Sequence, residues 1–306
     1  MEPHVDRDRL FRDLNEGMLA ERRTAFERNL RLNLPLIRRY GGLKRIMAGL
    51  NGKAAVVIGA GPSLEKNLGL LKRCHLRREL VLIAVDMALG PLVAAGIRPG
   101  FVISCEASPV DFFGNIDTSC MHLLAFSCAS CVNVRKWRGD MSFYNWMIDR
   151  PEYETLWDLA GRDLGFLGTG SLVATQAAAF ALGCGAASLV LVGNDLAFAD
   201  RYYVRGAAAH RNTAAASCRL SPLETLEMRR LLKAREYRIL RGSREFYTTR
   251  QFLAGKLWLE DLFGRVRVPV YDCSDPGCSE KYVAKMEFRD FMGTIDSRLA
   301  RKRRKA

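Results

Sequence analysis

Residues 54–64 read Ala-Ala-Val-Val-Ile-Gly-Ala-Gly-Pro-Ser-Leu, and this stretch decides the fold class. Apolar, partly β-branched residues run directly into the turn Gly59-Ala-Gly-Pro-Ser63, and an apolar-periodic segment follows from Leu64. That order predicts a buried strand, a tight glycine turn and the start of a helix. Such a turn lets backbone N–H groups approach a phosphate, and a helix N-terminus favours negative charge. The stretch therefore predicts a nucleotide site.

The same alternation continues along the chain. Apolar runs predict strands at 80–85, 101–104 and 188–192, with a candidate strand at 121–126, and helices at 64–73, 88–95 and 173–182. Apolar strands that alternate with helices are typical of a parallel sheet covered on both faces. We predict an α/β fold of the Rossmann-like type, with helical segments at both ends of the chain.

Other segments give weaker signals. Residues 137–157 are aromatic and mixed, and we expect an excursion over the binding edge, with its large aromatic side chains in the core. Residues 196–210 predict a flexible loop. Ser221-Pro222 predicts a capped helix that runs to Arg241. A further helix is expected at 249–263, and a late strand at 266–270.

Polar residues follow the strands at the edge where ligands of open α/β sheets bind. Asp86 and Glu106 come just after two strands, and Gly193-Asn194-Asp195 follows a third. A second turn of glycine and hydroxyl residues precedes the helix at 173–182, and we expect Ser171 to cap that helix. The pattern predicts one nucleotide cleft whose binding residues are Gly59, Gly61, Pro62, Ser63, Asp86, Glu106, Thr169, Gly170, Ser171 and Asn194. A helix cap or a surface charge is the alternative role for Asp86.

His210 is one of only four histidines and follows the predicted edge in sequence. An imidazole there suits a general acid or base near neutral pH. An exposed loop histidine is the alternative interpretation.

Composition limits the class of protein. The chain has 306 residues, a net charge of +14 and 49% hydrophobic residues, enough for one large domain with helical flanks. We expect a helical arm at 1–50, the core at 51–285, and a C-terminal helix with a basic tail at 286–306.

The basic surplus favours an anionic partner, but no nucleic-acid-binding motif is present. The charged N-terminus is unlike a signal peptide, and glycines interrupt the stretch 168–192, so no membrane span is expected. We expect a cytoplasmic protein whose nine cysteines are reduced thiols without a metal site.

A family resemblance rests on five elements in a fixed order. These are Phe-Glu-Arg-Asn-Leu at 26–30 with Asn33, Val-Ile-Gly-Ala-Gly-Pro-Ser-Leu at 57–64, Asp86, Gly-Ile-Arg-Pro at 96–99, and Gly-Asn-Asp-Leu-Ala-Phe at 193–198. The set resembles the motility accessory factor family of flagellin glycosyltransferases. The core of that family is also called MptE-like, after a 6-hydroxymethylpterin diphosphokinase. The glycine turn and the Gly-x-Asp element are similar to those of bacterial sialyltransferases as well.

The resemblance implies transfer of a nonulosonic, sialic-acid-like sugar from a CMP donor to Ser or Thr hydroxyls of a protein such as flagellin. It implies that Asp195 lies beside the reacting centre and that His210 is the base, and no cofactor is expected. Two alternatives stay open. One is a pterin diphosphokinase that uses ATP and Mg²⁺, and the other is a non-catalytic nucleotide-binding module.

Overall fold

The computed structural model describes residues 5–47, 49–148 and 150–305, with side chains up to residue 297. The helices within these ranges are α1 Arg7–Tyr40, α2 Leu64–Cys74, α3 Asp86–Ala94, α4 Cys131–Lys136, α5 Pro151–Ala160, α6 Val173–Gly183, α7 Ala208–Ala215, α8 Leu223–Ala234, α9 Arg250–Arg265 and α10 Phe288–Lys305. The strands are β1 Ala54–Ile58, β2 Leu80–Val85, β3 Phe101–Ser104, β4 His122–Phe126, β5 Met141–Met147, β6 Phe166–Gly168, β7 Ser188–Val192, β8 Tyr237–Arg241, β9 Arg244–Thr248, β10 Val270–Asp272 and β11 Ala284–Lys285.

Nine strands form one sheet in the order β11-β10-β7-β1-β2-β3-β4-β5-β6, and every pair in it is parallel. All residues of β1 and β7 are buried, so both faces of the sheet centre are covered. The predicted Rossmann-like α/β fold is confirmed.

The order of the strands reverses at β1. The chain builds β2 to β6 on one side of β1 and then returns to place β7 on the other side. Ala54 of β1 therefore lies opposite both Leu80 and Ser188. The crevice beyond the carboxyl ends of strands at such a reversal is the usual ligand site of open α/β sheets.

The aromatic segment 137–157 is not an excursion. It forms β5, which lies between β4 and β6 in the sheet, and then α5. Trp146 stacks on Phe126 with ring centroids 4.0 Å apart. The expectation that the aromatic residues belong to the core is confirmed for Trp137, Tyr144 and Trp146, which are buried.

Four predictions in the second half of the chain are wrong in detail. Helix α8 ends at Ala234, and the residues up to Thr248 form a two-stranded antiparallel hairpin, β8–β9, that turns at Gly242 with a φ of +58°. In β8 Ile239 is buried between the exposed residues Arg238 and Leu240, as expected of a strand whose successive side chains point to opposite faces. Ser221 makes no capping hydrogen bond to α8, whose N-cap is Pro222. Residues 208–215 are helical rather than a loop, and the late strand is β10 at 270–272.

Helix α1, expected as a flanking arm, is hydrogen-bonded to the loops at the carboxyl edge of the sheet. Its buried residues Asn29 and Asn33 donate side-chain hydrogen bonds to main-chain carbonyls in the loops after β3 and β4. Asn29 Nδ2 lies 2.9 Å from Ala107 O, and Asn33 Nδ2 lies 2.9 Å from Ala129 O. Two buried amides thus fix α1 across the carboxyl edge of the sheet. This explains physically why Asn occurs in the 26–33 motif.

All nine cysteines are free thiols, as expected. None of the helices in the described ranges combines the length and apolar character that crossing a bilayer requires. The basic tail continues the backbone of α10, and its side chains lie outside the described residues.

Candidate functional site

A cavity of about 570 Å³ opens at the carboxyl edge of the sheet. Its volume falls in the range of small-molecule sites. The walls come from the loops after β1, β2, β3, β6 and β7 and from one side of α1, which contributes Asp13, Leu14, Gly17, Met18, Glu21, Arg22 and Phe26.

Most of the predicted site residues meet in this cavity. Those that line it are Gly59, Gly61, Asp86, Glu106, Thr169, Ser171, Asn194 and Asp195. Pro62, Ser63 and Gly170 adjoin the lining residues without belonging to the wall. His210 lies elsewhere.

The glycine turn after β1 is closed by the loop after β7. Gly59 N donates to Val192 O at 2.9 Å, and Gly61 N donates to Gly193 O at 2.8 Å. A Cβ on Gly61 would lie 2.6 Å from the carboxylate of Asp195. The glycines are therefore needed for close approach of the two loops. The interpretation of the turn as a phosphate cradle is wrong for these N–H groups, which are satisfied within the protein.

Asp195 occupies the N-terminal end of α2. Its carboxylate accepts hydrogen bonds from Ser63 N at 2.9 Å, from the Ser63 hydroxyl and from Asp275 N at 3.3 Å. A negative charge at this end of a helix is stabilised by the helix dipole. Burial nevertheless dominates and raises the pKa of Asp195 to about 6. The group therefore exchanges a proton close to neutral pH.

Asp86 follows β2 as the first residue of α3. Its carboxylate accepts from the Ser104 hydroxyl and from Met87 N, both at 2.7 Å. Burial raises the pKa of Asp86 to about 7, and the charge of Glu106 adds to the rise. The alternative roles of helix cap and surface charge are wrong, because the N-cap of α3 is Val85 with no side-chain cap bond and Asp86 is 4% exposed. Asp86 lines the cavity, and its binding role stays a prediction.

Glu106 forms an ion pair with Arg22 of α1 and accepts a hydrogen bond from Ser108 N at 2.8 Å. Among the described residues of the wall, Arg22 is the one basic side chain, against the five acidic ones Asp13, Glu21, Asp86, Glu106 and Asp195. The basic surplus of the chain is therefore not concentrated in the cavity.

The second turn is shaped by packing against α9. A Cβ on Gly168 would lie 2.7 Å from Cζ2 of Trp258, and a Cβ on Gly170 would lie 2.6 Å from its Cγ. Ser171 has a φ of +66°, a conformation that non-glycine residues rarely adopt. The expected capping by Ser171 is wrong, because the N-cap of α6 is Leu172 and no side-chain cap bond forms there.

His210 lies on α7, outside the large cavity. It lines a separate cavity of about 30 Å³, with its Nε2 atom 3.5 Å from Glu227 Oε1. Gly206 N donates to its Nδ1 at 3.4 Å. The packing of α7 on α8 turns His210 toward Glu227 of α8, so the structure does not bring it to the wall of the large cavity with the other predicted site residues.

Sequence reasoning missed the apolar wall of the cavity. Phe26, Phe112, Trp146 and Tyr203 lie there, from four separated segments. Phe26 meets Trp146 edge to face at 5.7 Å between centroids. Only the presence of Phe26 in the 26–30 motif hinted at this wall.

These features define the class: a Rossmann-like α/β protein with a ligand-sized cleft at the reversal of strand order. Residues 28–201, more than half of the chain, match the family model described as 6-hydroxymethylpterin diphosphokinase MptE-like. The chain belongs to the MptE-like family.

The fold is also similar to that of a solved structure, the Maf glycosyltransferase from Magnetospirillum magneticum AMB-1, with a TM-score of 0.55 at 18% identity. The similarity covers 77% of this chain and 34% of that protein, so the chain matches about a third of its length. No curated protein sequence matches the chain.

Proposed function

We propose that the chain is a glycosyltransferase that binds a CMP-activated nonulosonic acid and transfers the sugar to Ser or Thr hydroxyls of a protein such as flagellin. The observation that carries this proposal is the cavity of about 570 Å³ at the reversal of strand order. The fold shared with a Maf glycosyltransferase supports it.

The cavity offers the two kinds of surface that a nucleoside needs. The aromatic side chains of Phe26 and Trp146 provide an apolar wall for a base. Asp86 follows the strand next to β1, where an acidic residue accepts ribose hydroxyls in dinucleotide-binding folds. We therefore assign Asp86 to the nucleoside.

Transfer makes one bond and breaks one. The acceptor oxygen attacks the anomeric carbon, the bond from that carbon to the phosphate oxygen breaks, and CMP leaves with the electron pair. The proton of the hydroxyl needs an acceptor. Asp195 lines the cavity and has a pKa of about 6, so it is ionised at pH 7 and we assign it this role.

Calorimetric titration with CMP and with CMP-N-acetylneuraminate, followed by an assay of CMP release with flagellin as acceptor, tests the proposal. We expect binding of both ligands. Asp195→Asn is expected to retain CMP binding and lose CMP release, whereas Asp86→Asn weakens binding. Folded wild-type protein that binds neither ligand would overturn the proposal. Binding without turnover would favour the non-catalytic module.

A pterin diphosphokinase is the second candidate, favoured by the family description and by the acidic cavity wall. Mg²⁺ in phosphoryl-transfer sites is bound by one or two carboxylates and by substrate phosphates. Asp86 and Glu106 are the wall carboxylates we assign to such an ion. Release of AMP from ATP in the presence of Mg²⁺ and 6-hydroxymethylpterin would decide for this candidate.

A further inference from the structure

Gln176 of α6 is a buried amide, 1% exposed, at the wall of the cavity. Its Oε1 atom accepts hydrogen bonds from the Tyr144 hydroxyl and from Trp146 Nε1, the latter at 3.2 Å. An indole nitrogen can only donate. The atom that faces Trp146 must therefore be the amide oxygen, and this chemistry fixes the orientation of the amide.

The amide nitrogen of Gln176 then points to the opposite side. Nε2 donates to Thr169 Oγ1 at 3.2 Å. Thr169 consequently accepts from Gln176 and keeps its own proton.

The hydroxyl of Thr169 lies on the cavity wall. Within the ranges 5–47, 49–148 and 150–297, no hydrogen bond is donated by this hydroxyl, whereas the neighbouring Thr175 hydroxyl donates to Leu172 O. A hydroxyl that accepts from a fixed donor keeps its proton and its second lone pair, and on this wall the proton can be donated to a ligand in the cavity. It suits a ligand atom that can only accept.

We propose that the Thr169 hydroxyl is a fixed hydrogen-bond donor to an anionic oxygen of the ligand, and that Gln176 is the positioning residue that fixes its direction. The identity of the ligand rests on the function proposed above. A CMP-activated nonulosonic acid carries two groups of this chemistry, its phosphate and the carboxylate of its sugar. The test separates these sources.

A double-mutant cycle of Thr169→Val and Gln176→Glu at pH 8 tests the proposal, with calorimetric titration of CMP and of CMP-N-acetylneuraminate. Thr169→Val is expected to weaken binding about 10-fold, because a hydrogen bond to a charged group is lost. Thr169→Ser keeps the hydroxyl and is expected to retain binding. The carboxylate that Gln176→Glu introduces still accepts from Tyr144 and Trp146, but it also accepts the proton of Thr169. In that background Thr169→Val should change binding less than twofold.

Thr213→Val is the matched control, because it removes a buried hydroxyl of α7 that donates to Ala209 O at 2.8 Å outside the cavity. It should bind as the wild type does. If Thr169→Val weakens the binding of both ligands, the partner oxygen belongs to the phosphate. If Thr169→Val weakens the binding of CMP-N-acetylneuraminate alone, the partner oxygen belongs to the sugar carboxylate.

Equal effects of Thr169→Val in the two backgrounds, or wild-type binding by Thr169→Val, would overturn the proposal. If the wild type binds neither ligand, the proposed function fails. The same double-mutant cycle, titrated with ATP, then decides the role of Thr169. If the wild-type protein does not bind ATP either, that role is overturned.

Discussion

The buried carboxyl of Asp86 makes the stability of the protein depend on pH. Its pKa is about 7 in the folded protein, against 3.8 for a free side chain, and burial is the main cause. The folded protein holds this proton more tightly than the unfolded chain does. The stabilising contribution of the protonated Asp86 carboxyl is therefore complete below about pH 4. The contribution is lost as the pH rises through 7. Between pH 5 and pH 8 the loss is about 3 kcal/mol, at about 1.4 kcal/mol per pH unit up to the folded-state pKa.

Asp86→Asn removes this titration. We expect the fall in unfolding free energy between pH 5 and pH 8, measured by urea denaturation, to be about 3 kcal/mol smaller in the variant than in the wild type. Any effect of the substitution on hydrogen bonding that is the same at both pH values cancels, because each protein is compared with itself at pH 5 and pH 8. Asp158→Asn is the control, since that carboxyl is exposed, and hydrogen bonding to Arg162 lowers its pKa. An Asp86→Asn variant with the wild-type dependence on pH would refute the reasoning.

Three further predictions concern packing and the corrected site. Gly61→Ala should lower the unfolding free energy by about 1–3 kcal/mol, because its Cβ meets the loop after β7. Gly69→Ala, on α2 with no atom within 4 Å of the added Cβ, should be neutral or stabilising by up to about 1 kcal/mol. If both variants lose the same unfolding free energy in urea denaturation, this reasoning is contradicted. His210→Ala should bind CMP within twofold of the wild type in calorimetry, and a 10-fold loss would return His210 to the cleft. Lys285→Met should destabilise the protein by about 3–5 kcal/mol in urea denaturation, because it removes the cation, Lys285 Nζ, that lies 2.7 Å from the fully buried carboxylate of Asp272 and leaves that carboxylate with main-chain N–H donors. A change under 1 kcal/mol would refute that.

The sequence predicted the central strands well because β1, β2 and β7 are short apolar runs between turn residues. It failed at β5, where aromatic and polar residues are mixed without a regular period along a strand that is buried from Met141 to Trp146. The polar residues of that strand, Ser142 and Asn145, are buried and form hydrogen bonds with His122 and Ser127. Such partners come from other strands and leave no local signal.

The candidate site was predicted in part. Residues at the ends of strands were found because the topology of a parallel sheet brings them together. The glycines of the first turn were also found, but a glycine pattern does not reveal whether the space serves a ligand or a neighbouring loop. Here it admits Asp195 and Gly193. The contribution of α1 and the position of His210 depend on helix packing over long sequence distances, which spacing does not encode.

The central claim is that the cavity at the carboxyl edge is the nucleotide site. Calorimetric titration of CMP into Ala174→Trp tests it most directly, because Ala174 lines the cavity on α6 and a larger side chain there takes up ligand space. Ala215→Trp, at an exposed position of α7, is the control. We predict at least a 10-fold loss of CMP binding in Ala174→Trp, with the wild-type affinity in the control. Wild-type affinity in both folded variants would contradict the assignment of the cavity.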